Sequence, residues 1–290
     1  MRGSKRPDVD PRLVLILGVS AVSLASILIK LSAAPPLVIG ANRLGIASLT
    51  LLLISAPTLK SIAAELRHQA TVLTLSGVSL AVHFGTWITS LEYTSVAASV
   101  VLTDSAPIFS VLLAWIALGE LPTRRESLGV ALGVAGASII GYGSLSLSHT
   151  EFKGALLALA GAVSLAAYLV AGRTARQTLP AIPYAATVYG ISAAALALAA
   201  VLAGQRLIGY PSREYLIFLA LAIGPSCLGH TSYNYALKYL KAHVVSLAIL
   251  AEPVGATLLA WIVLREVPGL EVAVGGALVL AGSALAASGR

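Results

Sequence analysis

Apolar residues in this chain come in long runs rather than at every third or fourth position, and short polar connections separate the runs. A helix needs about 20 apolar residues to cross a membrane. Ten runs of about this length are present: Arg12 to Leu31, Leu37 to Ile54, Ala70 to Leu91, Val96 to Leu118, Leu128 to Leu145, Gly154 to Gly172, Ala181 to Leu202, Tyr215 to Leu237, Ala242 to Leu264 and Glu271 to Ala287. The pattern predicts an all-α, polytopic membrane protein with ten transmembrane helices.

The composition agrees with a membrane environment. Hydrophobic residues make up 58% of the 290 residues and charged residues only 11%, whereas roughly a quarter of the residues are charged in soluble domains. The net charge of +7 is spread singly and in pairs between the runs, so no basic patch suggests nucleic acid. We therefore expect the lipid bilayer as partner and no nucleic acid.

Metal and cofactor chemistry finds no support in the sequence. Cys227 is the only cysteine, which excludes an intramolecular disulfide, and Cys-x-x-Cys and His-Glu-x-x-His motifs are absent. We expect no cofactor and no metal.

The basic residues predict the orientation of the chain. Counted on alternate sides of the ten runs, 13 Lys and Arg lie on the side of the termini and 5 on the other, with Arg43 inside a run. By the positive-inside rule, both termini are expected in the cytoplasm. The first run could also be read as a cleaved signal peptide ending near Ser32-Ala33-Ala34, but its length and the terminal Lys30 favour a membrane span.

The second half of the sequence repeats the first. A shift of 146 residues aligns Leu91 to Gly136 with Leu237 to Gly282, and 16 of the 46 positions are identical. The aligned pairs include Pro107 with Pro253, Trp115 with Trp261, Glu120 with Glu266, Pro122 with Pro268, Gly129 with Gly275 and Gly136 with Gly282. We predict two five-helix repeats, residues 1–149 and 150–290. Because five is an odd number, the second repeat should be inverted relative to the first, as is usual in secondary transporters.

These paired segments resemble the EamA-type repeats of the drug/metabolite transporter superfamily, and most closely the bacterial aromatic amino-acid exporters. The resemblance implies ten helices, a location in the bacterial inner membrane, and export of amino acids or similar small metabolites. Drugs or other non-amino-acid metabolites are the alternative cargo. One departure is that Gly119-Glu120 after the fourth run becomes Arg265-Glu266 after the ninth, which could change a gate at that end.

Two runs carry polar and aromatic residues at helical spacing. Trp87 and Tyr233 are repeat partners, so one aromatic side chain from each half should approach the pseudo-two-fold axis at similar depth. Such stripes predict a cavity for a small amphipathic solute; the alternative is that they only bond neighbouring helices. The candidate substrate-binding residues are His83, Trp87, Ser90, Ser226, His230, Tyr233 and Asn234.

Asp104 and Glu252 are the acids that lie well inside the predicted spans. Because burial favours the neutral form of a carboxyl group, either residue could exchange protons and couple export to a proton gradient. The repeat does not pair them, so any coupling should be asymmetric. The alternative is structural: Glu252 bonds a nearby polar group, and Asp104 neutralises Arg43 or a histidine.

Pro107 and Pro253 sit within spans at matching positions, where each removes a backbone donor. They are candidate hinges, although prolines also occur in membrane helices for packing alone. Arg43 either binds a substrate carboxylate or extends to the membrane interface, and its place near the start of a run favours the interface.

Together these features favour a secondary active or facilitative exporter that works by alternating access. The alternative class is an intramembrane enzyme such as a protease, but Gly-x-Ser-x-Gly and Gly-x-Gly-Asp motifs are absent, as is a Gly-x-x-x-x-Gly-Lys nucleotide-binding loop. Two fused halves can form a complete pathway, which is compatible with a monomer.

Overall fold

The computed structural model describes residues 9–118, 123–240, 245 and 248–288, without the side chains of 114–118, 144–147 and 286–288. All regular secondary structure in these residues is helical. Glu120 and Pro122 of the repeat pattern, and the predicted start of the ninth run at Ala242, lie outside the described residues.

Ten helical spans correspond to the ten apolar runs, and spans 1–8 have the length and hydropathy of membrane helices. The described parts of spans 9 and 10 are apolar but shorter. The spans are, in order: Pro11–Lys30; Pro36–His68; Ala70–Tyr93; Val96–Thr103 followed by Ala106–Leu118; Arg124–Leu147; His149–Ala175; Ala181–Leu202; Ser212–Ala236; Glu252–Leu264; and Leu270–Ser288.

Span 2 is longer than predicted, because it continues past Ile54 to His68. Its 33 residues make a helix of about 50 Å, whereas the hydrocarbon core is about 30 Å thick. The extension carries Lys60, Glu65 and Arg67. Hydropathy marks only the part of a helix that lipid can surround, so the end of an apolar run need not be the end of the helix.

Large apolar side chains cover the outside of the helix bundle. Leu53 is 78% exposed, Leu202 79% and Leu216 67%. In water such a surface would promote aggregation, whereas the hydrocarbon chains of lipids solvate it. The protein is therefore a multi-pass membrane protein.

Spans 4 and 9 are interrupted at equivalent positions. A turn at Asp104-Ser105 ends the first helix of span 4, and a turn at Leu250-Ala251 precedes Glu252 in span 9. Each turn lies just before one of the matched prolines. A proline cannot donate a backbone hydrogen bond and its ring crowds the preceding turn, which explains why both helices break there.

Span 8 contains a nine-residue π-helix, Ala222–His230, which includes Pro225. Two side-chain hydroxyl groups also bond carbonyls five positions earlier: Ser226 Oγ donates to the Leu221 carbonyl at 3.1 Å, and Thr231 Oγ1 donates to the Ser226 carbonyl at 3.2 Å. Segments of this kind are frequent at functional sites. The sequence analysis did not predict it, although Gly224-Pro225 was a local signal.

Glycines bring spans 5 and 10 into backbone contact. A Cβ atom at Gly275 would lie 2.7 Å from the Gly136 carbonyl oxygen, and one at Gly282 would lie 2.5 Å from the Gly129 carbonyl oxygen. Gly129 and Gly275 are repeat partners, as are Gly136 and Gly282, so the two contacts are equivalent under the 146-residue shift. Residue numbers rise along one helix as they fall along the other, so the two helices are antiparallel. The two repeats are therefore inverted.

The remaining helix packing has the same pseudo-two-fold symmetry. Span 3 packs along spans 6 and 7, and its repeat partner, span 8, packs along spans 1 and 2. Spans 2 and 7 contact each other, as do spans 4 and 9. This arrangement places spans 1, 3 and 4 of one repeat opposite spans 6, 8 and 9 of the other around the centre of the bundle.

Candidate functional site

A small cavity lies at the centre of the bundle, between the two repeats. Its volume, measured for the centre of a water-sized sphere, is about 10 Å³, which is close to the minimum for one water molecule. Each repeat contributes five lining residues: Val22, His83, Trp87, Thr103 and Asp104 from the first, and Leu165, His230, Tyr233, Ile249 and Glu252 from the second.

Several residues that line this cavity occupy equivalent positions in the two repeats. Three pairs of lining residues are equivalent, namely Trp87 with Tyr233, Thr103 with Ile249, and Val22 with Leu165. The first two pairs are related by the 146-residue shift; the third is related by 143, because the connections differ in length. Equivalent helices thus present aromatic or branched side chains from both sides.

The ionisable groups of the cavity break that symmetry. His83, Asp104, His230 and Glu252 all line it, yet their repeat partners are Gly229, Leu250, Phe84 and Ala106. The structure brings the two acids to one cavity even though the repeat does not pair them. The two halves therefore share the outline of the site but not its charges.

Several polar atoms on the cavity wall have no hydrogen-bond partner within the described part of the chain. They are Trp87 Nε1, Asp104 Oδ2, His230 Nδ1 and Tyr233 Oη. These side chains are between 1% and 4% exposed. Buried polar groups are nearly always hydrogen-bonded, so a wall with four free polar atoms can offer both donors and acceptors to a solute.

His83 joins the two repeats at the cavity wall. Its Nδ1 lies 3.1 Å from the Gly161 carbonyl oxygen of span 6, and because a carbonyl can only accept, Nδ1 carries the proton. The ring stacks on Trp87, with centroids 6.0 Å apart and planes at 10°, and meets the edge of His230 at 6.2 Å. The aromatic wall is thus held together across the repeat boundary.

Ser90, Ser226 and Asn234 are buried but do not line the cavity. Ser90 Oγ donates to the Trp87 carbonyl at 2.7 Å and lies 2.6 Å from Ser99 Oγ. Asn234 Oδ1 accepts a bond from Tyr168 Oη at 2.7 Å. In this structure these three side chains bond groups behind the wall, and their role in substrate binding stays a prediction.

Arg43 does not extend to the membrane interface, which corrects the interpretation favoured from the sequence. Its side chain is completely buried, with Nε donating to Ser226 Oγ at 3.1 Å and Cζ lying 4.4 Å from the centre of the Phe84 ring. Position along a run indicates depth but not which way a side chain faces. Arg43 lies on the face of span 2 that packs against the π-helical part of span 8, so its side chain is enclosed by protein.

A charged contact joins spans 1, 4 and 9 at one end of the bundle. Lys30 Nζ, at the end of span 1, lies 3.4 Å from Glu266 Oε1 and 3.5 Å from the Thr94 carbonyl oxygen. Glu266 also accepts a bond from the Val96 backbone at 2.9 Å. Glu266, which belongs to the Arg265-Glu266 departure, therefore links the connection after span 9 to the end of span 1 and the start of span 4.

The repeat has a counterpart to this contact at the opposite end. Arg173 Nη1 donates to the Leu240 carbonyl at 2.6 Å, and these residues are the repeat partners of Lys30 and Thr94. A cation at the end of span 1 and its partner at the end of span 6 thus hold equivalent carbonyls at opposite ends of the bundle.

Inverted repeats of membrane helices around a central polar cavity are the architecture of secondary transporters. The sequence matches the EamA-like transporter family over residues 12–142 and 152–288, that is, in both repeats. The chain therefore belongs to the EamA-like transporter family. It is therefore a member of a transporter family.

Two curated relatives are similar to this chain. A probable terminal-alkyne amino-acid exporter from Streptantibioticus cattleyicolor is 31% identical over 183 residues, which cover 61% of this chain and 59% of the relative. An uncharacterized transporter from Archaeoglobus fulgidus is 26% identical over 204 residues, which cover 69% of this chain and 70% of the relative. The aligned region thus spans less than two thirds of the first relative's length.

A solved crystal structure has a similar fold. It superposes with a TM-score of 0.64 over 95% of this chain and 96% of its own, at 23% sequence identity. The similarity extends over both repeats and supports the fold alone.

Proposed function

We propose that the protein is a secondary active or facilitative exporter of amino acids, aromatic and others, or of related small metabolites, and that it works by alternating access. The central cavity between the inverted repeats is the observation that carries the proposal. Two halves that exchange conformations can open one cavity to either side of a membrane. The relative named as a probable amino-acid exporter supports the choice of cargo.

The proposed location is the bacterial inner (plasma) membrane, with both termini in the cytoplasm. The excess of Lys and Arg on the side of the termini supports this orientation. We take residues 1–149 and 150–290 as the two repeats. One chain contains a complete cavity, which is compatible with transport by a monomer.

The cavity must enlarge before it can hold an amino acid. Pockets for small molecules typically occupy about 300–1,000 Å³. In this cavity the centre of a water-sized sphere has only about 10 Å³ available to it. We interpret the structure as a closed arrangement of the transport cycle. Substrate binding then requires the lining helices of the two repeats to move apart.

The interrupted helices provide candidate hinges for this movement. Each turn ends two positions before its proline, Pro107 or Pro253; Asp104 lies in the first turn, and Glu252 directly follows the second. A helix that is already broken can change its bend without losing many further hydrogen bonds. Movement at the hinges would shift both acids relative to the aromatic wall.

The cargo is testable by flux into or out of liposomes that contain the purified protein. We expect transport of at least one member of a panel of labelled amino acids that includes L-phenylalanine, L-tryptophan and L-leucine. Empty liposomes serve as the control. If no amino acid on the panel moves, the amino-acid assignment fails, and flux of a drug or another metabolite would then point to the alternative cargo.

Proton coupling is the second part of the proposal, and Glu252 is the candidate proton carrier. Glu252 and Asp104 line the cavity as buried carboxyl groups, and no Lys, Arg or His nitrogen of the described residues pairs with either within 4.0 Å. A carboxyl group in this position can take up or release a proton as the cavity opens to each side.

Glu252→Gln is expected to abolish the response of amino-acid flux to an imposed pH gradient while leaving downhill exchange measurable, because Gln keeps the shape but holds no titratable proton. Asp104→Asn is the matched variant for the other acid. The measurement is initial flux with and without a gradient of about one pH unit, which is worth about 1.4 kcal/mol per proton. A full response in both variants would exclude these acids as coupling sites.

A further inference from the structure

Arg43 is a fully buried cation that forms no ion pair within 4.0 Å in the described part of the chain, although Glu252 lies near enough to interact with its charge. Its Nη1 and Nη2 atoms have no hydrogen-bond partner among the described residues, and no carboxylate of those residues lies within 4.0 Å of them. Only Nε is used, in the bond to Ser226. Burying an unpaired charge is costly, so an anion that reached these two nitrogens would bind favourably.

A second buried arginine shows what a purely structural guanidinium looks like in this fold. Arg176 is 2% exposed; its Nε donates to the Asn234 carbonyl at 2.7 Å, and its Nη1 donates to the Leu179 carbonyl. Two backbone carbonyls thus accept hydrogen bonds from this guanidinium, one from each edge. Arg43 has no such arrangement at its terminal nitrogens.

The Phe84 ring separates the guanidinium of Arg43 from the residues that line the cavity. It sits over Phe84, and the Phe84 ring centre is 4.8 Å from that of His83, 6.0 Å from that of Trp87 and 5.1 Å from that of His230. These three rings line the cavity. A modest widening of the wall would therefore reach the guanidinium.

The partner of Nε links Arg43 to a segment suited to such widening. Ser226 lies in the π-helix Ala222–His230, which ends at the wall residue His230. π-Helical segments are rare and occur frequently at functional sites. A shift in this segment moves His230 and the Arg43 bond together.

We propose that Arg43 binds the carboxylate of the transported solute when the cavity opens, so that the substrates are carboxylates such as zwitterionic α-amino acids. A planar guanidinium with two free donors matches a carboxylate in a bidentate bond. Asp104 and Glu252, on the cavity wall, complement the ammonium group, and Trp87 and Tyr233 contact the side chain. The inference rests on the proposed function and specifies its substrate class.

The first test compares each amino acid with its amide in the wild-type protein. L-phenylalanine and L-leucine are offered to proteoliposomes beside L-phenylalaninamide and L-leucinamide, which keep the ammonium group and side chain but lack the carboxylate. The amide would leave the buried guanidinium without its anionic partner, and such a loss weakens binding strongly. We therefore expect the acids to be transported at least about 30-fold better than the amides. Equal transport of acids and amides overturns the inference but leaves amino-acid export intact. If L-phenylalanine and L-leucine do not move, the same comparison uses a panel amino acid that does; if no panel amino acid moves, the proposed function itself fails.

The second test changes Arg43. In Arg43→Gln we expect acid transport to fall at least about tenfold and the acid-to-amide ratio to fall towards one, whereas Arg43→Lys should restore part of the ratio because it keeps the charge. Arg176→Lys is the matched control, expected to retain the wild-type ratio. A wild-type ratio in folded Arg43→Gln overturns the inference. The wild-type comparison stays decisive if that variant does not fold.

Discussion

Replacing Trp87 or Tyr233 with alanine is expected to lower amino-acid flux at least about tenfold, which corresponds to the loss of about 1.4 kcal/mol of substrate binding. The two residues are repeat equivalents that line the same cavity, one from each repeat. Each offers a solute an aromatic face and a polar atom that is unpartnered among the described residues. The measurement is initial flux of the best panel amino acid, normalised to the amount of folded protein in the liposomes.

Milder variants separate a transport effect from a folding effect. Tyr233→Phe removes only the hydroxyl group and Trp87→Phe keeps an aromatic ring, so both should fold as the wild type does and still show reduced flux or altered substrate preference. Trp261→Ala is the control for aromatic removal, because Trp261 is 55% exposed on the outside of the bundle. Unaltered flux in both alanine variants would contradict the cavity assignment.

Gly275→Ala is expected to destabilise the protein by about 1–3 kcal/mol, the usual range for overpacking a tight contact. Its new methyl group would lie 2.7 Å from the Gly136 carbonyl oxygen, and a backbone atom in a helix cannot turn aside. Spans 5 and 10 would have to separate. Thermal unfolding of the purified protein in detergent measures the effect.

The neighbouring glycine provides a control with the same chemical change. A methyl group at Gly276 would meet its nearest atoms, on the Val101 side chain, at an ordinary 3.6 Å. Gly276→Ala should therefore leave stability unchanged or raise it slightly, since alanine favours helix over glycine by about 0.5–1 kcal/mol. Equal destabilisation by the two variants would contradict the close antiparallel contact, and with it the geometry that shows the inversion.

Much of the fold could be predicted because the membrane simplifies the physical problem. Lipid requires long apolar helices with satisfied backbones, so the apolar runs predict the spans almost one by one. The matched prolines predict matched helix breaks, which the structure shows at Asp104-Ser105 and Leu250-Ala251. The matched glycines Gly129 and Gly275 mark the close packing of spans 5 and 10. Pro and Gly act through their own backbone constraints, which hold in any context.

The site was less predictable, because helical spacing defines a face but not what that face contacts. Trp87 and Ser90 lie one turn apart in span 3, yet Trp87 lines the cavity and Ser90 bonds Ser99. Asn234 directly follows Tyr233, but it faces Tyr168. A polar side chain in a membrane helix must find a partner, and the sequence cannot distinguish a solute from a neighbouring helix.

The burial of Arg43 depended on the neighbouring helix that its side chain faces rather than on its position in the run. Span 2 begins within one residue of the apolar stretch, and its packing against span 8 encloses the guanidinium. The π-helix in span 8 also affects the surroundings of Arg43, because it carries Ser226. Both features require knowledge of the backbone path.

By itself, the sequence determined the class of protein, the number of spans and the duplication, because apolar length and the placement of Pro and Gly act locally along each helix. Only the tertiary structure decided which polar groups share the cavity. Asp104, Glu252, His83 and His230 line one cavity, although the repeat does not pair them and they come from both halves of the chain. Their positions are brought together only when the helices of two inverted repeats pack, which no rule about a single helix predicts.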